Sequence, residues 1–130
     1  MRRVLGLCAV FLLSSVGLEA QTLPSSQGAL TVDTMAEGFD APWALGFLPN
    51  GSFLVTERKG RLWRVDPAGR KTRIRGLPSI HVQNQGGLLD ILVPRDFAKN
   101  RTIFFTYVKK QPSGAGTAVL RARLAQGSVV

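Results

Sequence analysis

The segment QNQGGLLD at residues 83–90 combines amide side chains with a pair of glycines. Amides donate and accept hydrogen bonds without carrying charge, and glycines allow another group to approach the backbone closely. This combination suits a loop that binds a polar ligand where a buried strand begins. It equally suits an ordinary surface loop, since surface loops are often polar and glycine-rich. The residues concerned are Gln83, Asn84, Gln85, Gly86 and Gly87.

The other side chains with acid, base or metal chemistry are scattered along the chain. His81 is the only histidine, and a histidine without a carboxylate or backbone partner in view is a weak candidate for a general base. We therefore interpret His81 as a surface or loop residue. Glu57, Asp90 and Asp96 are not paired with a catalytic partner in the sequence. We assign no catalytic residue and no metal ligand within the chain.

Residues 1–20 are typical of a secretory signal peptide. Two arginines precede a short apolar run, and Ala20 follows as a small residue at a plausible cleavage point. The run is shorter than the roughly 20 apolar residues needed to cross a bilayer, which favours a cleaved signal peptide. The alternative is a membrane anchor that is not cleaved. Cys8, the only cysteine, would leave with this peptide. The remaining domain, residues 21–130, would then contain neither disulfides nor thiolate metal sites.

The chain is strongly basic, with 17 lysines and arginines against 8 acidic residues and a formal net charge of +9. Such a balance attracts polyanions without specificity. The basic residues are scattered, however, and no RRM, KH, zinc-finger or helix-turn-helix signature accompanies them. We therefore predict no specific nucleic-acid partner.

Short apolar runs separated by glycine and proline predict an all-β fold, since no long segment has the helical period of 3.6. Asn50-Gly51 is the strongest hairpin signal. We expect Trp43, Phe47, Phe53 and Trp63 to lie in the core between stacked sheets. A first antiparallel meander is predicted from four strands: residues 43–48, 52–57, 61–66 and 71–74.

A second unit begins about 45 residues later, at Leu88, and this spacing is typical of the blades of a β-propeller, which are about 40–50 residues long. A small complete sandwich or barrel is the alternative, because its strands have similar spacing. The predicted strands are residues 88–93, 102–108 and 117–124, joined by connections at residues 94–100 and 109–116.

Four segments occur in an order and spacing typical of one enzyme family. They are APWALGFLPNGSFLVTERKGRLWRV, GLPSI, QGGLLDILVPRDFAKNRTIFFTY and GTAVLRARL. Together they resemble the start of the quinoprotein sugar dehydrogenases, the soluble glucose and aldose dehydrogenases with a glucose/sorbosone dehydrogenase domain. The resemblance covers residues 30–124 and the N-terminal third or less of the family's length.

The resemblance implies a six-bladed β-propeller, of which this chain would form about the first two blades. It also implies pyrroloquinoline quinone (PQQ) bound over the central channel, with calcium polarising the quinone carbonyl. In the family, a histidine acts as general base on the anomeric hydroxyl of an aldose while hydride passes to the quinone. Gln85 matches a glutamine that lines the quinone pocket. Gly86 and Gly87 would keep the approach to this cofactor-binding loop clear.

The same resemblance places the catalytic histidine, the calcium loop and the basic residues that grip the cofactor beyond residue 130. His81 precedes the glutamine loop and does not match that histidine. The chain would then be an inactive fragment of a periplasmic or secreted enzyme that passes electrons to a cytochrome or a quinone. The alternative function is a secreted, non-enzymatic propeller module that binds proteins or polyanions, since a fold does not determine function.

Overall fold

A computed structural model describes residues 21–130, and the predicted signal peptide at residues 1–20 lies outside the described residues. The chain divides after Thr34 into two units. In the first unit, strand β1 (Gln21–Leu23) pairs with strand β2 (Leu30–Val32) as an antiparallel hairpin. Ser25 closes its turn, because its hydroxyl donates a hydrogen bond of 2.6 Å to the carbonyl of Gly28. Both strands are exposed.

The second unit, residues 35–130, begins with a four-stranded antiparallel sheet in which neighbours in sequence are neighbours in space. Its three turns contain Gly51, Gly60 and Gly69, all with φ between 78° and 88°. Glycine is the residue that adopts this conformation without strain. The predicted meander is confirmed to within one residue at each strand end. The strands are β3 (Pro42–Phe47), β4 (Phe53–Glu57), β5 (Arg61–Val65) and β6 (Lys71–Ile74).

A three-stranded antiparallel sheet follows in the same unit. It differs from the sequence-based expectation at both of its connections. The first contains a short helix, which ends where Arg101 adopts a left-handed conformation with φ of 61° and donates its backbone N–H to the Phe97 carbonyl. The elements are strand β7 (Leu88–Leu92), helix α1 (Phe97–Asn100), strand β8 (Thr102–Gln111) and strand β9 (Gly114–Arg123).

The predicted loop at residues 109–116 is wrong. Strands β8 and β9 stay paired up to Gln111 and Gly114, so the turn consists of Pro112 and Ser113 alone. The two strands of a hairpin satisfy each other's backbone hydrogen bonds, and this ladder continues through polar and glycine-rich residues that sequence patterns assign to loops.

The core lies between the two sheets. Gly46 of β3 is close to β7, because a Cβ atom at this position would lie 3.0 Å from the Val93 side chain and 3.3 Å from that of Ile91. Burial of each large apolar side chain stabilises the fold by about 1.5–3 kcal/mol. The most deeply buried members of the core are Leu54, Leu62, Ile74, Leu88, Phe97, Ile103, Phe105 and Leu124.

Each sheet has a second apolar face that points away from this core. On the first sheet Trp43 is 47% exposed and Phe47 is 75% exposed, and Phe53 and Trp63 are half-buried. None of these four aromatic residues belongs to the core between the described sheets, because side chains alternate between the faces of a strand, and their place between blades stays a prediction. On the second sheet the exposed residues are Leu92 and Val119. Apolar groups on both faces are typical of the stacked sheets of a propeller.

Residues near the C-terminus connect the outer strands of the two sheets. The backbone of Arg75, just after β6, donates to the Gly127 carbonyl at 2.9 Å and accepts from the Val129 N–H at 2.8 Å. Val129 also pairs with Leu124, just after β9. The all-β, blade-like arrangement predicted from the sequence is thus confirmed. Among residues 21–130, no helix is long and apolar enough to cross a membrane.

Candidate functional site

The loop at residues 83–87, which we call the QNQGG loop, leads directly into β7. Its turn is closed by a hydrogen bond of 2.7 Å from the Gly86 N–H to the Gln83 carbonyl, and Asn84 is left-handed with φ of 52°. The end of β8 holds both sides of the loop: Val108 accepts from the His81 N–H and donates to the Gly87 carbonyl, each at 2.8 Å. The loop backbone is therefore held in place without a ligand.

The two glycines of the loop pack against other parts of the same chain. A Cβ atom on Gly87 would lie 2.0 Å from the Arg58 carbonyl oxygen, where no such atom fits. A Cβ atom on Gly86 would lie 3.0 Å from both the Gln83 carbonyl and the Val108 side chain. The fold itself thus requires the absence of a side chain at Gly87, and the role of the two glycines towards a cofactor stays a prediction.

The amide side chains of the loop differ in their partners. The Gln83 Oε1 atom lies 3.0 Å from His81 Nε2, so the only histidine is paired with an amide of the same segment. Gln85 is exposed, and its amide makes no hydrogen bond to the residues that the structure describes. The Asn84 side chain is likewise exposed and unbonded among these residues, so a fixed loop presents two free amides, each of which can both donate to and accept from a ligand.

The sequence Thr56-Glu57-Arg58 at the end of β4 joins that strand to three other segments. The Thr56 hydroxyl is fully buried and donates to the Leu89 carbonyl in β7 at 2.6 Å. Glu57 accepts the backbone N–H of Asp40 at 2.7 Å. Arg58 Nη1 donates to the carbonyls of Asn84 and Gly86 in the QNQGG loop, at 2.7 and 3.4 Å. The strand end is therefore a structural support of the candidate site.

Next to this strand end lies an ionic cluster, which consists of Asp40, Glu57, Lys59 and Arg61. Glu57 is only 1% exposed and pairs with Arg61 Nε. Arg61 Nη2 and Lys59 Nζ both contact Asp40 Oδ2, at 2.6 and 2.9 Å. Glu57 and Arg61 face each other across the β4–β5 hairpin, the cross-strand position where opposite charges stabilise a sheet.

The ionic cluster lowers the pKa of both of its carboxyl groups. Burial works to raise the pKa of Glu57, but the Asp40 backbone N–H, the indole of Trp63 and the Arg61 guanidinium together hold it below the ordinary value of 4.5. The Trp63 indole N–H contributes to this lowering of the pKa, although its geometry falls short of a hydrogen bond. Lys59, followed by Arg61, lowers the pKa of Asp40 against a smaller opposing effect of burial. These carboxylates are stabilised as anions, and none is available as a proton donor near neutral pH.

We expect this cluster to make the protein less stable in acid. A carboxyl group whose pKa is lower in the folded state stabilises the fold above its unfolded pKa, and that contribution is lost as the pH falls through the folded value. Urea unfolding between about pH 7 and about pH 3 measures the effect. Glu57→Gln removes one of the two carboxyl groups. The free energy of unfolding should therefore fall less steeply in this variant at pH values below 4.5, the ordinary pKa of glutamate. An unchanged pH dependence in this variant would contradict the assignment.

The remaining candidates from the sequence have local roles. Asp90 accepts the backbone N–H of Ile91, and Asp96 accepts the side-chain amide of Asn100. Within residues 21–130, no group of three His, Cys, Asp or Glu side chains is placed to hold a metal ion. The amide side chains of the QNQGG loop can recognise a polar ligand through neutral hydrogen bonds.

Residues 39–129 match the family described as glucose/sorbosone dehydrogenase. The aldose sugar dehydrogenase YliI of Escherichia coli is 37% identical over 109 residues, which are 81% of this chain and 29% of that protein. This chain therefore spans less than a third of the length of that relative.

Solved structures of sugar dehydrogenases have the same fold over the matched region. The soluble aldose sugar dehydrogenase of Escherichia coli in its apo-form is 40% identical, with a TM-score of 0.65 over 71% of this chain and 28% of that chain. The PQQ-bound aldose sugar dehydrogenase of Streptomyces coelicolor is 27% identical, with a TM-score of 0.68 over 76% of this chain and 31% of that chain. The match of residues 39–129 covers well over half of the sequence, and the chain belongs to the glucose/sorbosone dehydrogenase family.

Proposed function

We propose that this chain supplies part of the cofactor site of a PQQ-dependent aldose dehydrogenase, and that Gln85 contacts the cofactor or the sugar. The single observation that carries the proposal is the QNQGG loop, whose backbone is held by β4 and β8 while the Gln85 amide stays free. The family match and the PQQ-bound relative support the choice of cofactor.

The chemistry of the loop fits a quinone. PQQ presents carbonyl and carboxylate oxygens, and an amide N–H donates to such oxygens without introducing a charge. When bound, PQQ accepts the hydride that is removed from the sugar. The role that we assign to this chain is to orient the bound ligand. Gln85 donates a hydrogen bond to it, and the fixed backbone of the loop keeps the Gln85 amide in one place.

The general base and the calcium ligands must come from other residues of the enzyme. His81 is paired with Gln83, and the carboxylates of the ionic cluster are held as anions by cations. No step of the reaction is therefore assigned to the acidic residues of this chain. We propose an aldose as the substrate, because a relative is named an aldose sugar dehydrogenase.

A chimeric enzyme tests the proposal. Residues 39–129 of this chain replace the matching segment of the Escherichia coli aldose sugar dehydrogenase. We expect the purified chimera to bind PQQ and to oxidise aldoses with an artificial electron acceptor, after reconstitution with PQQ and calcium. The measurements are PQQ titration by absorbance and steady-state kcat/KM.

The 130-residue chain alone, given the same cofactors, is the matched control, and we expect no sugar oxidation from it because the proposal places the general base elsewhere. A chimera that has native circular dichroism and a cooperative thermal transition, yet binds no PQQ, would refute the proposed function.

A further inference from the structure

We propose that Arg58 is a positioning residue, which holds the QNQGG loop in one conformation and thereby fixes the orientation of Gln85. The inference rests on the proposed function for the identity of the ligand. The restraint on the loop is a property of this chain and can be measured without any ligand.

The contacts of Arg58 lie on both sides of Gln85. A single nitrogen, Nη1, donates to the carbonyl of Asn84 at 2.7 Å and to the carbonyl of Gly86 at 3.4 Å. The peptide group that precedes Gln85 and the one that follows Gly86 are therefore attached to the same cation. Hydrogen bonds from a charged donor are stronger than those between neutral groups. One guanidinium thus restrains the curvature of the loop around Gln85.

Arg58 is itself well placed for this role. Its backbone N–H donates to the Ala41 carbonyl, and its carbonyl accepts the Leu88 N–H, each at 3.0 Å. Its side chain passes close to Gly87, since a Cβ atom there would lie 2.8 Å from Arg58 Cγ. The missing side chain of Gly87 therefore provides the space through which the arginine reaches the loop.

The charge of Arg58 is directed at the loop and not at an acid. Among the described residues it forms no salt bridge, whereas its neighbours Lys59 and Arg61 pair with carboxylates of the ionic cluster. The side-chain hydrogen bonds of Arg58 end on loop carbonyls. This distinguishes Arg58 from Lys59 and Arg61, whose charges stabilise the β4–β5 turn.

Amide hydrogen exchange on the full 130-residue chain tests the restraint. Arg58→Met keeps the aliphatic stem and removes the charged donor, and Arg58→Lys keeps a charged donor with a shorter reach. Arg64→Met is the matched control, because Arg64 is also half-buried but its one side-chain hydrogen bond among the described residues goes to the Ser52 hydroxyl, at 3.4 Å, and not to the loop. Urea unfolding of each variant measures global stability separately.

We expect Arg58→Met to raise the exchange rate of the Gly86 amide hydrogen, which is bonded to the Gln83 carbonyl, roughly 10-fold, as the loss of a charged hydrogen bond predicts for local opening. The rate at Val55 in β4 should stay unchanged. Arg58→Lys should restore part of the protection, and Arg64→Met should leave the loop as it is. Unchanged loop exchange in Arg58→Met would overturn the proposal. So would an equal rise at Val55, because it would show a general loss of stability.

A PQQ titration of the chimera separates this inference from the proposed function. We expect Arg58→Met to weaken PQQ binding about 5-fold, as partial loss of an oriented hydrogen bond implies. If Gln85→Ala weakens PQQ binding and Arg58→Met does not, the positioning role is wrong and the proposed function stands. If the loop loosens and neither variant alters PQQ binding or kcat/KM for an aldose, the proposed role of Gln85 fails and the restraint by Arg58 stands.

Discussion

Replacing Gln85 with alanine in the reconstituted chimera is expected to lower PQQ affinity or kcat/KM for an aldose roughly 5- to 150-fold. The variant removes a neutral hydrogen-bonding group from a site that a bound cofactor covers. An unsatisfied partner in such a site costs about 1–3 kcal/mol, which corresponds to that range. The fold should not change, since the Gln85 side chain is exposed and makes no hydrogen bond to the described residues.

His81→Ala is the matched control for this prediction. The His81 ring contacts the Gln83 side chain, and its backbone N–H, which alanine retains, makes the bond to Val108. We expect this variant to keep kcat/KM within about threefold of the parent, as for a surface residue whose contact is worth a few tenths of a kcal/mol. The assignment of the loop would be wrong if His81→Ala abolished turnover while Gln85→Ala behaved like the parent.

Gly87→Ala is expected to destabilise the protein by about 2–4 kcal/mol, because it places an atom against a backbone oxygen in a strained conformation. The added Cβ atom would lie 2.0 Å from the Arg58 carbonyl oxygen, at a φ of 158°. Either the β4 end or the start of β7 has to move, and both carry bonds that hold the QNQGG loop. Urea unfolding gives the loss of stability, and amide exchange at Leu88, which donates to Arg58, gives the local movement.

Gly127→Ala provides the comparison, because a Cβ atom there would meet nothing within 4 Å and its φ lies outside the left-handed region. We expect a change of no more than about 0.5 kcal/mol, typical of a substitution that disturbs no packed neighbour. Equal stabilities of the two alanine variants would show that the close approach of Gly87 and Arg58 is absent in solution.

Local patterns predicted the first sheet well. Its turns combine glycine with Asn50, Lys59 and Ala68, and its strands alternate regularly, so each hairpin is specified within about ten residues. The β8–β9 hairpin was predicted less well, because its ends are held by backbone pairing that leaves no pattern in the side chains. The sequence did not predict on which of the two sheet faces Trp43 and Phe47 lie, since composition alone does not distinguish two apolar faces.

The candidate site was predicted only in part. The sequence indicated Gln85, Gly86 and Gly87 as a loop before a buried strand, and the structure places them there. It did not indicate Arg58, because the bonds from Arg58 to the loop join residues 26 and 28 positions apart. The pairing of Glu57 with Arg61 is indicated in the sequence by opposite charges on either side of a glycine turn.

The bonds between Arg75 and residues 127–129 have a consequence for synthesis of the protein on the ribosome. Strand β6 is the edge of the first sheet, and the partner of Arg75 follows about 50 residues later in the chain. A nascent chain therefore leaves the Arg75 end of this edge unpaired for several seconds at usual translation rates, and unpaired edges promote misassembly with neighbouring chains. Positive charges along this edge oppose that association. We therefore expect the run Lys71, Arg73 and Arg75 to protect this edge until residues 127–129 have been synthesised.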